Sequence, residues 1–231
     1  MGITDSKPGP PKTTRDIHPM PLYQFSHRLL TITFSVLLMI CVMPATVNAG
    51  ETDIVLLTGL RGGGEFEDAG TGATLKLKET QTFTLVLDKQ MKNGKYYEFY
   101  YSHQPSELTT NDPSSPGTLF DVDIDYLHFG GKHYLNKENG TFLVGTIGAT
   151  HFNPKAAGLG EETKFSLGIG GGIEFMSQKN IGLRLEGRAF GNFLDSSGAI
   201  FCGGSSGGCT ILTSSSVLWQ LELNVGVILR F

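Results

Sequence analysis

Long apolar runs are missing from residue 50 onward, basic residues are not in excess, and cysteine is scarce, with three in 231 residues. Each shortage removes a class of answer. A bilayer-spanning helix needs about 20 consecutive apolar residues, so any membrane role beyond residue 50 falls to strands. Lys and Arg number 18 against 22 Asp and Glu, for a net charge of −4, and a chain of that sign has no general attraction for nucleic acid. Glycine, by contrast, is plentiful at 31 residues, and turn-like clusters of Gly, Ser, Asn and Pro recur along the chain. That spacing favours many strands over helices and points to an all-β fold.

The first 49 residues differ from the rest. Leu29 to Met43, LLTITFSVLLMICVM, is an apolar run that follows His27 and Arg28 and leads through Pro44 to Val47-Asn48-Ala49. A positive flank, a short apolar centre and small residues at the cut site describe a cleavable secretory signal peptide. Cleavage is expected after Ala49, with Met20 as the expected start, since the stretch before it is long for a signal n-region. Cys41 follows Ile40, where a lipoprotein signal wants a small residue, so lipidation is not expected. The remaining 50–231 read as one domain. Cys202 and Cys209 bracket Gly-Gly-Ser-Ser-Gly-Gly, a segment expected to be a loop. In an exported protein they are expected to close a small disulfide ring, because no His, Asp or Glu lies between them to complete a metal site.

Eight strands are expected, at 53–66, 80–89, 95–106, 118–135, 141–153, 163–177, 181–194 and 214–231. KQMKNGK, LNKENG and SQKN are short polar turns, and Asn-Gly in the first two supplies the positive φ of a tight hairpin. The other four connections are longer and rich in Gly, Ser, Pro and charge. With antiparallel neighbours, the short turns gather at one end and the long loops at the other.

From Val217 to Phe231 every odd position is apolar, a period-2 stripe that runs to the last residue. In the strand before, Ile181, Leu183, Leu185 and Ala189 oppose Gly182, Arg184, Glu186 and Arg188. One strand earlier, Phe165, Leu167, Ile169, Ile173 and Phe175 oppose serine, glycine and Glu174. The first strand does not alternate cleanly, and its register stays open. The polar faces combine small residues with Glu98, Asp121, Asp123, Asp125, Glu174, Arg184, Glu186, Arg188, Glu222 and Arg230. Charges of both signs among glycines suit a narrow enclosed lumen better than a solvated surface. Centring the SQKN turn on Lys179 sets Glu174 opposite Arg184, and matching the last two strands sets Arg188 near Glu222. Tyr97, Phe99, Tyr101, Tyr126, Phe165, Phe175, Trp219 and Phe231 fall on the apolar faces, mostly near strand ends, as interfacial girdles do.

The leader, the eight strands with turns and loops at opposite ends, and the ending LELNVGVILRF together resemble the small eight-stranded outer-membrane β-barrels of Gram-negative bacteria. The resemblance implies an antiparallel up-and-down transmembrane β-barrel, monomeric, multi-pass in the cell outer membrane and surrounded by its lipid. It also implies that Leu223, Val225, Val227, Leu229 and Phe231 form the signal read by the barrel-assembly machinery during insertion. The last strand is then expected to pair with the first, which leaves no edge to fray.

The expected role is structural, surface-interacting or envelope-stabilising, with a filled polar lumen, no enzyme activity and no cofactor or metal. Any extracellular partner is expected at the long loops. The alternative is a narrow channel for small or hydrophobic solutes, in which the glycines at 62–64 and 168–172 thin the wall; their other reading is packing space for side chains from across the barrel. A third reading is a lipid-modifying enzyme, for which His103, His151, Asp121 and Ser102 are the candidate group, while His128 and His133 lie towards the turn end of the fourth strand. A soluble barrel that buries its apolar face around a ligand remains the fourth.

Overall fold

The computed structural model describes residues 51–67, 72–91, 94–113, 116–194, 199–202, 209–212 and 216–231, without the side chains of 66, 199–202 and 209–212. The leader expected at 1–49 lies outside the described residues.

Twelve strands are present among the described residues: β1 (Thr52–Gly63), β2 (Glu65–Glu67), β3 (Thr74–Leu77), β4 (Thr80–Gln90), β5 (Lys95–Thr110), β6 (Gly117–Asn136), β7 (Thr141–Pro154), β8 (Glu162–Met176), β9 (Ile181–Phe193), β10 (Ala199–Cys202), β11 (Cys209–Leu212) and β12 (Val217–Arg230). Eight of these, β1, β4, β5, β6, β7, β8, β9 and β12, pair in antiparallel succession, and β12 returns to β1. The sheet is therefore a closed up-and-down barrel. The closure reaches the chain end: Thr52 N–H donates to the Phe231 carbonyl at 3.1 Å, and Phe231 N–H returns a bond to the Thr52 carbonyl at 2.9 Å. A terminal strand that would fray as an edge is held by main-chain bonds on both sides.

Local chemistry places the turns. Gly94 and Gly140, the glycines of the two Asn-Gly pairs, take φ of +72° and +70°. At Gly140 a Cβ would come within 1.9 Å of the Glu174 carbonyl oxygen, so the tight approach of the turn to β8 also requires glycine there. These turns and the SQKN turn lie at one end with Thr52 and Phe231, and the long connections leave from the other. The loop end is more ordered than expected. The first long connection contains β2 and β3, and β3 adds to the outer end of β5 through Leu75 opposite Thr110 and Leu77 opposite Leu108. The segment of Cys202 and Cys209 is not a simple loop either, because β10 and β11 form a ladder that sets Cys202 opposite Cys209. The disulfide itself falls on side chains outside the described residues.

Alternation turns the apolar residues outward over most of the barrel. Leu223 is 71% exposed, Ile169 68% and Trp219 61%, whereas Arg184, Arg61, Glu98 and Asp88 are fully buried. In β1 the ambiguity has a plain cause: Leu56 and Leu60 face out while Val55 and Leu57 face in, so both faces are apolar. Pairing with β12 resolves its register, with Arg61 opposite Glu222 and Asp53 opposite Arg230.

Candidate functional site: a sealed lumen inside an apolar belt

The inward side chains of the turn-end half form one ion network. Arg184, on β9, is at its centre: its guanidinium meets Asp88 at 2.9 Å, Glu98 at 2.9 Å, Glu186 at 2.6 Å and Glu174 at 3.3 Å. Lys132 joins Asp88 at 2.6 Å to Glu174 at 2.7 Å, and Tyr134 also donates to Glu174. Arg188 bridges Glu98, at 2.7 Å, and Glu186. Nearer the middle, Arg61 reaches Glu222 at 2.8 Å through Nε, and the Tyr100 hydroxyl donates to the same carboxylate at 3.0 Å. Arg230 stands at the turn-end mouth in a bidentate pair with Asp53, at 2.8 and 2.9 Å. Cross-strand register dictates much of this, since Glu174 lies opposite Arg184 and Arg188 opposite Glu222.

Aromatic rings fill the space between the charges. The Arg188 guanidinium lies 4.1 Å from the Tyr100 ring centre, that of Arg61 4.3 Å from Tyr126, and that of Arg184 4.4 Å from Phe142. Such stacking suits a planar cation that has left water. The inward glycines of β8 make the room. A Cβ on Gly170 would lie 2.7 Å from Arg188 Cγ, and one on Gly172 2.9 Å from Phe142 Cζ. These glycines are occupied packing space, so they leave no thinned wall at those positions.

Above the network runs a chain of neutral polar groups. Tyr126 donates to Gln220 at 2.6 Å and accepts from Asn192 at 2.8 Å; Thr150 links Asn192, at 2.6 Å, to Ser166, at 2.9 Å; His128 contacts Ser166 at 2.8 Å and Thr146 at 3.0 Å. His128 is thus an interior histidine with both ring nitrogens engaged. Beyond it the interior turns apolar, with Leu75, Leu77, Leu108, Val122, Ile124 and Phe152 all buried.

Three of the expected lumen carboxylates are not in the lumen. Asp121, Asp123 and Asp125 point outward on β6, whereas Val122, Ile124 and Tyr126 point inward. Tyr126, expected in the apolar belt, is correspondingly an interior residue. The strand keeps its alternation, but its polarity inverts between Asp125 and Leu127. Above that level the outer face is wet and the interior is an ordinary apolar core; below it the outer face is oily and the interior charged. Asp125 pairs outside with His103 at 2.9 Å and accepts from Tyr101 at 2.8 Å, and Asp123 meets Lys155 at 2.7 Å. Lys78, with help from Thr118, binds Glu107 on the same outer sheet and holds its carboxyl below the usual range.

Of the other expected network members, Glu98, Glu174, Arg184, Glu186, Arg188 and Glu222 all lie in the interior and in contact with one another or through a shared partner. Asp53, Asp88, Arg61 and Lys132 belong with them but were not singled out from sequence. The cue for two of these is the barrel closure, because pairing β1 with β12 alone brings Arg61 to Glu222 and Asp53 to Arg230. The group considered for lipid chemistry does not assemble. Ser102 is buried inside, bonded to Arg61 and Thr84, while His103, His151 and Asp121 are on the outer face. Among the described residues, no set of three or more His, Cys, Asp or Glu is placed to hold a metal ion, and no helix is long and apolar enough to cross a membrane.

An eight-stranded barrel with hydrocarbon outside and compensated charge inside is the architecture of an outer-membrane β-barrel. No protein-family model matches the chain, and no curated protein sequence does. Solved structures do. Neisserial surface protein A is 12% identical, with 79% of this chain matched to 98% of that one at a TM-score of 0.51. The outer membrane protein OprG from Pseudomonas aeruginosa is 9% identical, with 79% of this chain matched to 96% of that one at a TM-score of 0.54. At such identities the likeness is one of fold.

Proposed function

We propose that the protein is a monomeric, non-catalytic barrel of the outer membrane, with its turns in the periplasm and its loops at the cell surface, and that it acts through that surface and through its hold on the envelope rather than by conduction. The observation that carries this reading is the sealed lumen: Arg61, Arg184, Tyr100, Tyr126 and Phe190 span the interior from several strands and are all fully buried. A solute path would have to displace buried ion pairs, and a buried charge left without its partner is strongly unfavourable.

Support for a surface role comes from the upper barrel. β5 and β6 continue past the apolar belt, β3 adds a strand to them, and the resulting sheet presents Glu107, Asp121, Asp123 and Asp125 on its outer face. A folded, charged sheet standing clear of the bilayer, flanked by long connections, is a platform for a partner. Assembly would proceed through the terminal stripe Leu223, Val225, Val227, Leu229 and Phe231, all of which face out.

Purified, refolded protein in a planar bilayer tests the reading. No reproducible conductance steps are expected. Regular steps would overturn it in favour of a narrow channel. The same preparation should shift its gel mobility on boiling, as a lipid-facing barrel does and a soluble one does not.

A further inference from the structure

The apolar belt is not smooth. On the outer wall of β5, β6 and β7, Gly131 lies opposite Gly145, and the two form the floor of an open groove of about 600 Å³. Tyr97 and Phe129 wall it, with their rings stacked at 5.9 Å, and Ile147 flanks it on β7. Among the described residues nothing fills the floor: a Cβ on Gly145 would meet no atom within 4 Å, and one on Gly131 only a main-chain oxygen at 3.4 Å. Two residues further towards the turns, Lys95 and His133 stand opposite each other, both exposed, at the lower mouth of the groove. Neither takes part in an ion pair among the described residues.

We infer that this groove seats one anionic glycerophospholipid of the periplasmic leaflet, an acyl chain lying over Gly131 and Gly145 and the phosphate held by Lys95 with His133. The inference rests on the membrane reading above and deepens it. Depth and charge agree with this occupant. The trough is lined by apolar atoms at acyl-chain level, and its cation stands at the turn end, where the headgroups of that leaflet lie. A second groove on the opposite wall is a natural contrast. It is of similar size, about 680 Å³, runs past Leu60, Gly187 and Leu221, and has Glu79, paired with Lys76 at 3.5 Å, beside it at its loop end. Among the described residues no exposed, unpaired cation borders it at the turn end, so charge and depth together select the first groove.

The experiment is native mass spectrometry of the folded barrel equilibrated with equimolar palmitoyl-oleoyl phosphatidylglycerol and phosphatidylethanolamine. Wild type should retain one phosphatidylglycerol in preference to phosphatidylethanolamine by about fivefold, the effect expected of one cation near an anionic surface. Gly145→Leu fills the groove in open space and should abolish the retained lipid, while Gly187→Leu, which adds the same bulk at the contrast groove, should leave it. Lys95→Gln should bring the headgroup preference close to unity. Retention by Gly145→Leu equal to wild type, or a preference unchanged in Lys95→Gln, overturns the inference. Heat-modifiability of each preparation separates the two levels: variants that still shift on boiling leave the barrel reading intact whatever the lipid result, whereas wild type that does not shift removes both.

Discussion

The two halves of the barrel are built on opposite rules. At the turn end, Arg184, Lys132 and Arg188 share Asp88, Glu98, Glu174 and Glu186 inside a ring of exposed Leu, Ile, Val and Phe. At the loop end, Val122, Ile124, Leu108 and Phe152 make an apolar core beside one inward pair, Lys164 with Glu162, and Asp121, Asp123 and Asp125 are on the outside. β5, β6 and β7 run through both halves, so no break in those strands marks the boundary. What changes is the solvent outside. Where hydrocarbon surrounds the wall, polar groups have only the interior, and each charge there must find its partner within the protein. Where water surrounds the wall, the usual distribution returns.

The most severe test of that contrast is to remove one charge from the network. Arg184→Met keeps much of the side-chain volume but strips the shared cation from four carboxylates. Breaking a buried pair by deleting one partner costs about 3–5 kcal/mol. The variant should therefore show a sharply lower urea midpoint for unfolding from lipid vesicles, followed by gel mobility and by the fluorescence of Trp219, the single tryptophan. If Arg184→Met unfolds with the wild type, the interior is hydrated and the sealed-lumen account fails.

A middle-sized effect is expected when a charge is placed on the belt. Leu223 faces out midway along β12, between Trp219 and Phe231. Leu223→Arg should cost about 2–4 kcal/mol, as an arginine at the bilayer midplane does. The same vesicle titration reads it, and a change of less than about 0.5 kcal/mol would mean that this face is wet.

How much of this was legible beforehand follows from the same contrast. The eight barrel strands and their turns could be read because Asn-Gly marks two hairpins and the stripes of β8, β9 and β12 keep a single phase. The register of Glu174 with Arg184 follows from counting out of one turn, and that of Arg188 with Glu222 from matching the ends of the last two strands. Asp121, Asp123 and Asp125 were assigned to the lumen on the rule that polar faces point in, a rule that holds only within the hydrocarbon. The signal was nonetheless present in DVDIDYLHF: odd positions are polar up to Asp125 and apolar from Leu127, with no inserted residue to shift the register. A change of phase without a bulge marks where a strand leaves the membrane. Lys132 and Asp88 were not legible in that way, because their partners come from strands that are not sequence neighbours. The short strands β2, β3, β10 and β11 were hidden for another reason: they sit among glycines, joined by serines around β10 and β11, and their ladders depend on contacts with β5 or with each other.

The smallest expected effect is the sharpest check on where the inversion falls. Asp121 lies on the same outward face of β6 as Phe129 and eight residues from it, yet on the water side of the boundary. Asp121→Lys should therefore change stability by no more than about 0.5 kcal/mol, as surface substitutions do, although it reverses a charge. A loss comparable with that of Leu223→Arg would place Asp121 in hydrocarbon or back in the lumen, and either would erase the distinction between the two halves. A near-zero result beside a large one for Leu223→Arg, on outward faces of one barrel, leaves the surrounding solvent as the remaining difference.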